Sequence, residues 1–213
     1  MMIGISRSLV AALLLGLLCA APAAAQTTAG AAEPPPDQDG GAWAFIGGAA
    51  VGIGAHELSH LFFDVVFDAD PGVKKLSFRG IPFFAITHAN ELSPRQEYTV
   101  AASGLWTQNG LNEWILSRRP DIQREDAPFQ KGVLVVNVLT SVVYSGAALF
   151  KIGPPERDTR SMAASLGIDE RWIGVLVLAP ALLDTYRYFH PETKWAAWSA
   201  RGAKVGMVLL VLK

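Results

Sequence analysis

The chain has 213 residues, of which 51% are hydrophobic and 17% charged, with a formal net charge of -1 and a positive mean hydropathy. So apolar and charge-poor a composition argues against an ordinary soluble domain and for a protein that meets the lipid bilayer. No Lys/Arg-rich run with interleaved aromatics occurs, so no nucleic-acid partner is expected.

Residues 1–25 read as a signal peptide. Arg7 precedes the apolar run from Leu9 to Ala20, and Ala23-Ala24-Ala25 is a small-residue cleavage site before Gln26. The apolar core is short for a spanning helix, and an uncleaved anchor would leave the chain facing the same way. The only cysteine, Cys19, lies within this segment, so the mature chain has no disulfide and no thiolate metal ligand. Residues 26–41, rich in Pro, Gly and Ala, read as a disordered tether. Residues 42–213 are left as a single membrane-embedded domain.

Within that domain, Trp43 to about Phe67 is apolar apart from His56, Glu57, Ser59, His60 and Asp64, and is long enough for one span. Leu76-Ser77-Phe78 and Phe83 to Ile86, parted by Arg79-Gly80-Ile81-Pro82, predict a β-hairpin. Gln96 to Leu116 carries Glu97, Gln108, Asn109, Asn112 and Glu113, which predicts a helix with one face toward a polar interior. After a charged loop, Gly132 to Phe150 and Trp172 to Phe189 predict two further spans, the second interrupted by Pro180. Trp195 to Lys213 holds Arg201 and Lys204, which makes it either a fifth span or an interfacial segment. The expected fold is an all-α membrane protein of four to five transmembrane helices with a short β-hairpin. Lys and Arg are spread evenly among the short loops, so the signal peptide sets the orientation. Residue 26 starts outside, the hairpin faces the cytoplasm, and the expected location is a bacterial inner membrane.

The chemistry concentrates in His56-Glu57-Leu58-Ser59-His60. Histidines four apart stand one helical turn apart on one face and can bind a single metal ion, here zinc. Glu57 beside them suits a general base acting on water that the metal polarises. Two histidines and a glutamate in an apolar span are costly unless they pair or bind metal. A catalytic zinc takes three protein ligands. Asp184, deep in the apolar segment, is the expected third, with pairing to Arg187 at i,i+3 as its competing role. Asp64 suits orienting a histidine, and Glu113 is the rival third ligand.

The order of these features resembles the site-2 protease family of intramembrane zinc metalloproteases. The resemblance rests on the His56–His60 motif, the hairpin, Ser103-Gly104-Leu105-Trp106-Thr107-Gln108-Asn109, and Leu183-Asp184-Thr185. Asn109 falls one place later than the family's asparagine, and Thr185 stands where the family has glycine. The resemblance implies His56, His60 and Asp184 as zinc ligands and Glu57 as catalytic base. It also implies that Asn109, or Gln108, helps to hold substrate or the developing oxyanion. The implied substrate is a membrane protein or peptide. Two alternatives stand beside it: Asn112-Glu113 resembles the gluzincin pattern, with Glu113 as third ligand, and a non-catalytic metal-binding membrane scaffold would use the same histidines.

Overall fold

The structure is a computed structural model and describes residues 3–4, 38–78 and 81–212. The expected signal peptide, save Ile3–Gly4, and most of the expected tether lie outside the described residues. The chain is mostly helical, with one small antiparallel sheet.

Helix α1 spans Gln38–Val66, so its first turns take up the end of the expected tether. Its inward stripe recurs every fourth residue: Gly48, Gly52, His56, His60 and Asp64 are all buried. Asp68 and Asp70 then adopt left-handed backbone, with φ of 57° and 54°. Short polar residues tolerate that region. The reversal turns the chain directly into the hairpin, β2 (Pro71–Phe78) and β3 (Ile81–His88). The strands run from Pro71 opposite His88 to Phe78 opposite Ile81, longer at both ends than the apolar runs alone predict. Ile3–Gly4 forms a two-residue β1 against Val73 and Gly72. The sheet order is therefore β1-β2-β3, with β3 at an edge.

Helix α2 (Pro94–Arg118) begins at a capping box, in which the Ser93 hydroxyl accepts from the Gln96 amide and the Gln96 side chain accepts from the Ser93 amide. A 3-10 turn at Ile122–Arg124 leads to α3 (Pro128–Phe150). The loop expected after it contains an unforeseen short helix, α4 (Asp158–Leu166), closed by Gly167 at φ 65°. Helices α5 (Glu170–Phe189) and α6 (Lys194–Leu209) complete the fold, and Pro180 sits inside α5 without ending it.

Packing contacts set the helix directions. Gly52 of α1 meets Val136 and Asn137 of α3, and further along both helices His56 meets Tyr144, so α1 and α3 run parallel. His60 meets Val100 of α2, and one turn back along α1 His56 meets Gly104, so α2 runs the opposite way. Gly174, near the start of α5, packs on Ser145, Ala148 and Leu149 near the end of α3, so α5 also opposes α3. In α6, Met207 accepts a hydrogen bond from Tyr98 while Arg201 bonds Glu113, which makes α6 antiparallel to α2.

Pro128–Phe150 is the one described helix that is long and apolar enough to cross a membrane by length and composition. In α1 and α2 the polar side chains that face the interior lower the hydropathy. Polar residues are buried, among them Ser103, Gln108, Asn112, Asn137, Ser141 and Ser145, while Ile46, Ile53, Val135, Leu139, Val143 and Leu182 are exposed. The polar residues share the interior with apolar side chains such as Leu105, Met162, Ile173 and Val177, and large apolar side chains cover much of the exposed helix faces.

Candidate metal centre

His56 and His60 project from one face of α1 with ring centroids 4.9 Å apart. Both are almost fully buried. The carboxylate that meets them is Asp158, the first residue of α4. Its Oδ2 lies 3.1 Å from His56 Nε2 and 3.4 Å from His60 Nε2. One donor atom from each of these three residues falls within 4.8 Å of the others.

The surroundings orient the donors. His60 Nδ1 lies 2.7 Å from the Val100 carbonyl. Donating its proton there turns Nε2 toward Asp158, where a bound ion would take its lone pair. The His56 ring lies against Gly104, where a Cβ would come within 2.6 Å of Cε1 and 2.7 Å of Cδ2. Glycine at 104 therefore makes room for the imidazole. Tyr144 of α3 sits with its ring centroid 5.8 Å from that of His56 and its hydroxyl interacts with Asp158. Burial acts to raise the Asp158 carboxyl, but the adjacent imidazoles more than offset this and hold it well below the usual carboxylate range. Glu57 lies within electrostatic reach of both histidines and Asp158.

Two imidazoles with converging Nε2 atoms and one carboxylate match the three-ligand donor set of a catalytic zinc. The residues present therefore fit such an ion. His56 Nδ1 is buried without a hydrogen-bond partner, so among the described residues that ring lacks the orienting bond that His60 has.

Asp184, expected as third ligand, is placed elsewhere. Its Oδ1 accepts from Lys204 Nζ at 2.8 Å and Arg187 Nη1 at 3.2 Å. A carboxylate buried in an apolar segment needs compensation, and here two cations supply it. Glu113 is likewise occupied by Arg187, Arg201 and Lys204, at 2.6, 2.8 and 3.0 Å. Asp64 pairs with His88 at 3.3 Å, and the other nitrogen of His88 meets Glu97 at 3.0 Å. That double partnership raises the His88 imidazolium to about 10. Asn109 turns toward Met207, with its amide 3.9 Å from the sulfur, and lines a cavity with Glu113 and Arg201. Gln108 is the interior amide of this pair: it is fully buried, both its side-chain polar atoms lack a protein partner, and it lies one turn from Gly104.

Asp158 was not singled out from the sequence. It occupies a charged loop beside Glu156, Arg157 and Arg160, and no local pattern separates it from its neighbours. A cavity of about 220 Å3 adjoins the centre, lined by His60, Thr87, His88, Glu97, Glu156 and Asp158 among others. It lies between the Ile86–His88 end of β3 and His60 with Asp158.

Comparison of the chain with protein-family models, with curated proteins and with solved structures finds no match to any of them.

Proposed function

We propose that the protein is a membrane-embedded zinc metalloprotease that hydrolyses peptide bonds of membrane-associated substrates, with His56, His60 and Asp158 as its metal ligands. The observation that carries this reading is the convergence of both Nε2 atoms of a His-Glu-x-x-His helix on one partly buried carboxylate. Asp158 takes the place that the sequence reading gave to Asp184.

Bound zinc supplies a Lewis acid that polarises a carbonyl and acidifies water. Glu57, next to His56 on the same helix, takes the proton of the attacking water and returns it to the leaving amine. Tyr144 and His60 hold the ligand set in register through Asp158 and Val100. The free amide of Gln108 is the better placed of the two amides considered for hydrogen bonding to a developing oxyanion. An extended peptide adding to the open edge of β3 would run along the 220 Å3 cavity toward the histidines.

Membrane embedding is supported by the exposed apolar faces and by the placement of tryptophans. With the helix directions given above, Trp43, Trp114, Trp195 and Trp198 gather at one end of the bundle. Trp172 and Phe150 lie at the other, and all six are exposed. Aromatic belts of this kind mark the two interfaces of a bilayer. Helices α1, α2, α3 and α5 then span, with α6 as the fifth, and the hairpin and α4 share the cytoplasmic side. The polar residues of α1 and α2 face the bundle interior, as a bilayer requires.

The test is metal analysis and peptide-bond cleavage by purified full-length protein. About one zinc per chain is expected, lost in the His56→Ala, His60→Ala double variant. Glu57→Gln is expected to keep zinc and lose cleavage by roughly 10²- to 10⁴-fold. Full zinc in the double variant, or undiminished cleavage by Glu57→Gln, would refute the assignment.

A further inference from the structure

We propose that the groove between α2 and α6 is a binding site for one anionic phospholipid. This rests on the membrane-embedded reading above and is independent of the catalytic one. The groove encloses a cavity of about 320 Å3 lined by Trp106, Glu113, Arg201, Lys204, Val205 and Leu209 among others.

The exposed lining of the cavity is almost wholly apolar, and the charged residues Glu113, Arg201 and Lys204 gather at one end of it. Because α2 and α6 are antiparallel, Glu113 lies level with Arg201 and Lys204, while Trp106 lies level with Val208 and Leu209. The seven helical steps from Trp106 to Glu113 separate the two ends by about 10 Å along the helix axis. That is the layout of an amphiphile: a charged head at one level and a chain running away from it.

Charge selects the head. Three cations, Arg187, Arg201 and Lys204, face two carboxylates, Glu113 and Asp184, in one connected network. The cluster is left one positive charge in excess, and the Arg201 side chain is its most accessible cation, 40% exposed. A phosphodiester supplies the missing negative charge, and a guanidinium binds its oxygens through charge-assisted hydrogen bonds. The level is also right, since exposed Trp114 and Trp198 flank this end of the groove and interfacial tryptophans sit at headgroup depth. Beyond it, Val205, Val208 and Leu209 are exposed and offer an acyl chain an apolar wall. A second copy of the chain fits less well, because a symmetric contact would bring two positively charged clusters together.

The experiment is native mass spectrometry of the detergent-purified full-length protein titrated with phosphatidylglycerol or phosphatidylcholine. One retained phosphatidylglycerol per chain is expected, preferred over phosphatidylcholine by roughly tenfold, the scale expected of one or two basic residues near a headgroup. Arg201→Gln is expected to abolish the preference. Val205→Trp, which narrows the groove while keeping all five charged residues, is expected to reduce retention of both lipids while leaving zinc content and helicity unchanged. Equal retention of the two lipids, retention that survives both substitutions, displacement by millimolar inorganic phosphate, or a dimer that Val205→Trp dissociates would each overturn the proposal. Carbonate extraction of membranes separates its failure from that of the underlying reading. Release of the chain would remove both, whereas a chain that stays with the membrane and shows no lipid preference removes this proposal alone.

Discussion

His56 Nε2 and Asp158 Oδ2 lie 3.1 Å apart although 102 positions separate the two residues in the chain. Helix α4 makes this contact by packing against α2 at the end of the bundle where the hairpin also sits. The carboxylate enters from outside the helices that hold the histidines, so removing its charge should disturb the metal more than the fold. Asp158→Asn is expected to weaken zinc binding at least about tenfold, since even indirect partners of metal ligands commonly contribute that much. Asp184→Asn should retain zinc and instead cost stability, about 3 kcal/mol, because it leaves Lys204 and Arg187 short of a buried counter-charge. Zinc content and thermal unfolding of the two variants, measured side by side, check this. Zinc loss confined to Asp184→Asn would restore the sequence-based ligand.

The contrast between these aspartates shows what could be read from the sequence and what could not. The His56/His60 pair, the helix bearing it and the hairpin after it follow from spacing and turn chemistry, and the structure contains them. The cost of burying Asp184 was also legible, as was Arg187 at i,i+3. What was missed is the second cation, Lys204, which belongs to a helix 20 positions away and reads in the sequence as an interfacial charge. Asp158 gives no local signal at all, because its role arises only when α4 folds against α2. Charges in an apolar run announce that they need a partner but not which one.

Gly104 offers a separate test of the centre, since it bears no functional group. A Cβ at this position would press on the His56 ring at 2.6 Å, and either the imidazole or the helix contact must shift. Gly104→Ala is therefore expected to weaken zinc affinity by about tenfold with helicity preserved. Gly54→Ala is on the motif helix but has open space around its Cβ position, and should leave zinc unchanged. Competition with a chelator of known affinity reads both. Equal affinities in the two variants would show that the close approach does not constrain the ring.

His88 ties the hairpin to the bundle by bridging Asp64 of α1 and Glu97 of α2. Those two carboxylates raise its folded pKa to about 10, above the ordinary value near 6.5 of an unfolded chain. The raised value means that the folded state holds the proton more tightly. The stabilisation is full below about pH 6.5, declines as pH rises above that, and is gone above about 10. Thermal unfolding should therefore show a stability loss between these limits that is absent in His88→Gln. A wild-type profile parallel to that of the variant would exclude the charged bridge.

The orientation of the bundle can be tested at its loops, because the contact registers and the tryptophan distribution together commit it. With α1 and α3 parallel and α2 and α5 opposed to them, the connections at Asp126 and Glu192 lie on the same side as Trp43 and Trp114. Ser77 in the hairpin lies on the other side. The reading of residues 1–25 as a signal peptide makes the tryptophan-rich end the outer one. Single cysteines at Asp126, Glu192 and Ser77, all exposed positions, should then divide cleanly. An impermeant maleimide applied to intact cells is expected to label positions 126 and 192, and to reach position 77 only after permeabilisation. Replacing Cys19, the single native cysteine, by serine removes background labelling. Labelling of position 77 from outside would invert the topology and place the metal centre near the outer face. Labelling of all three in intact cells would mean that α1 does not separate the hairpin from the outside, and the spanning assignment of the motif helix would fall.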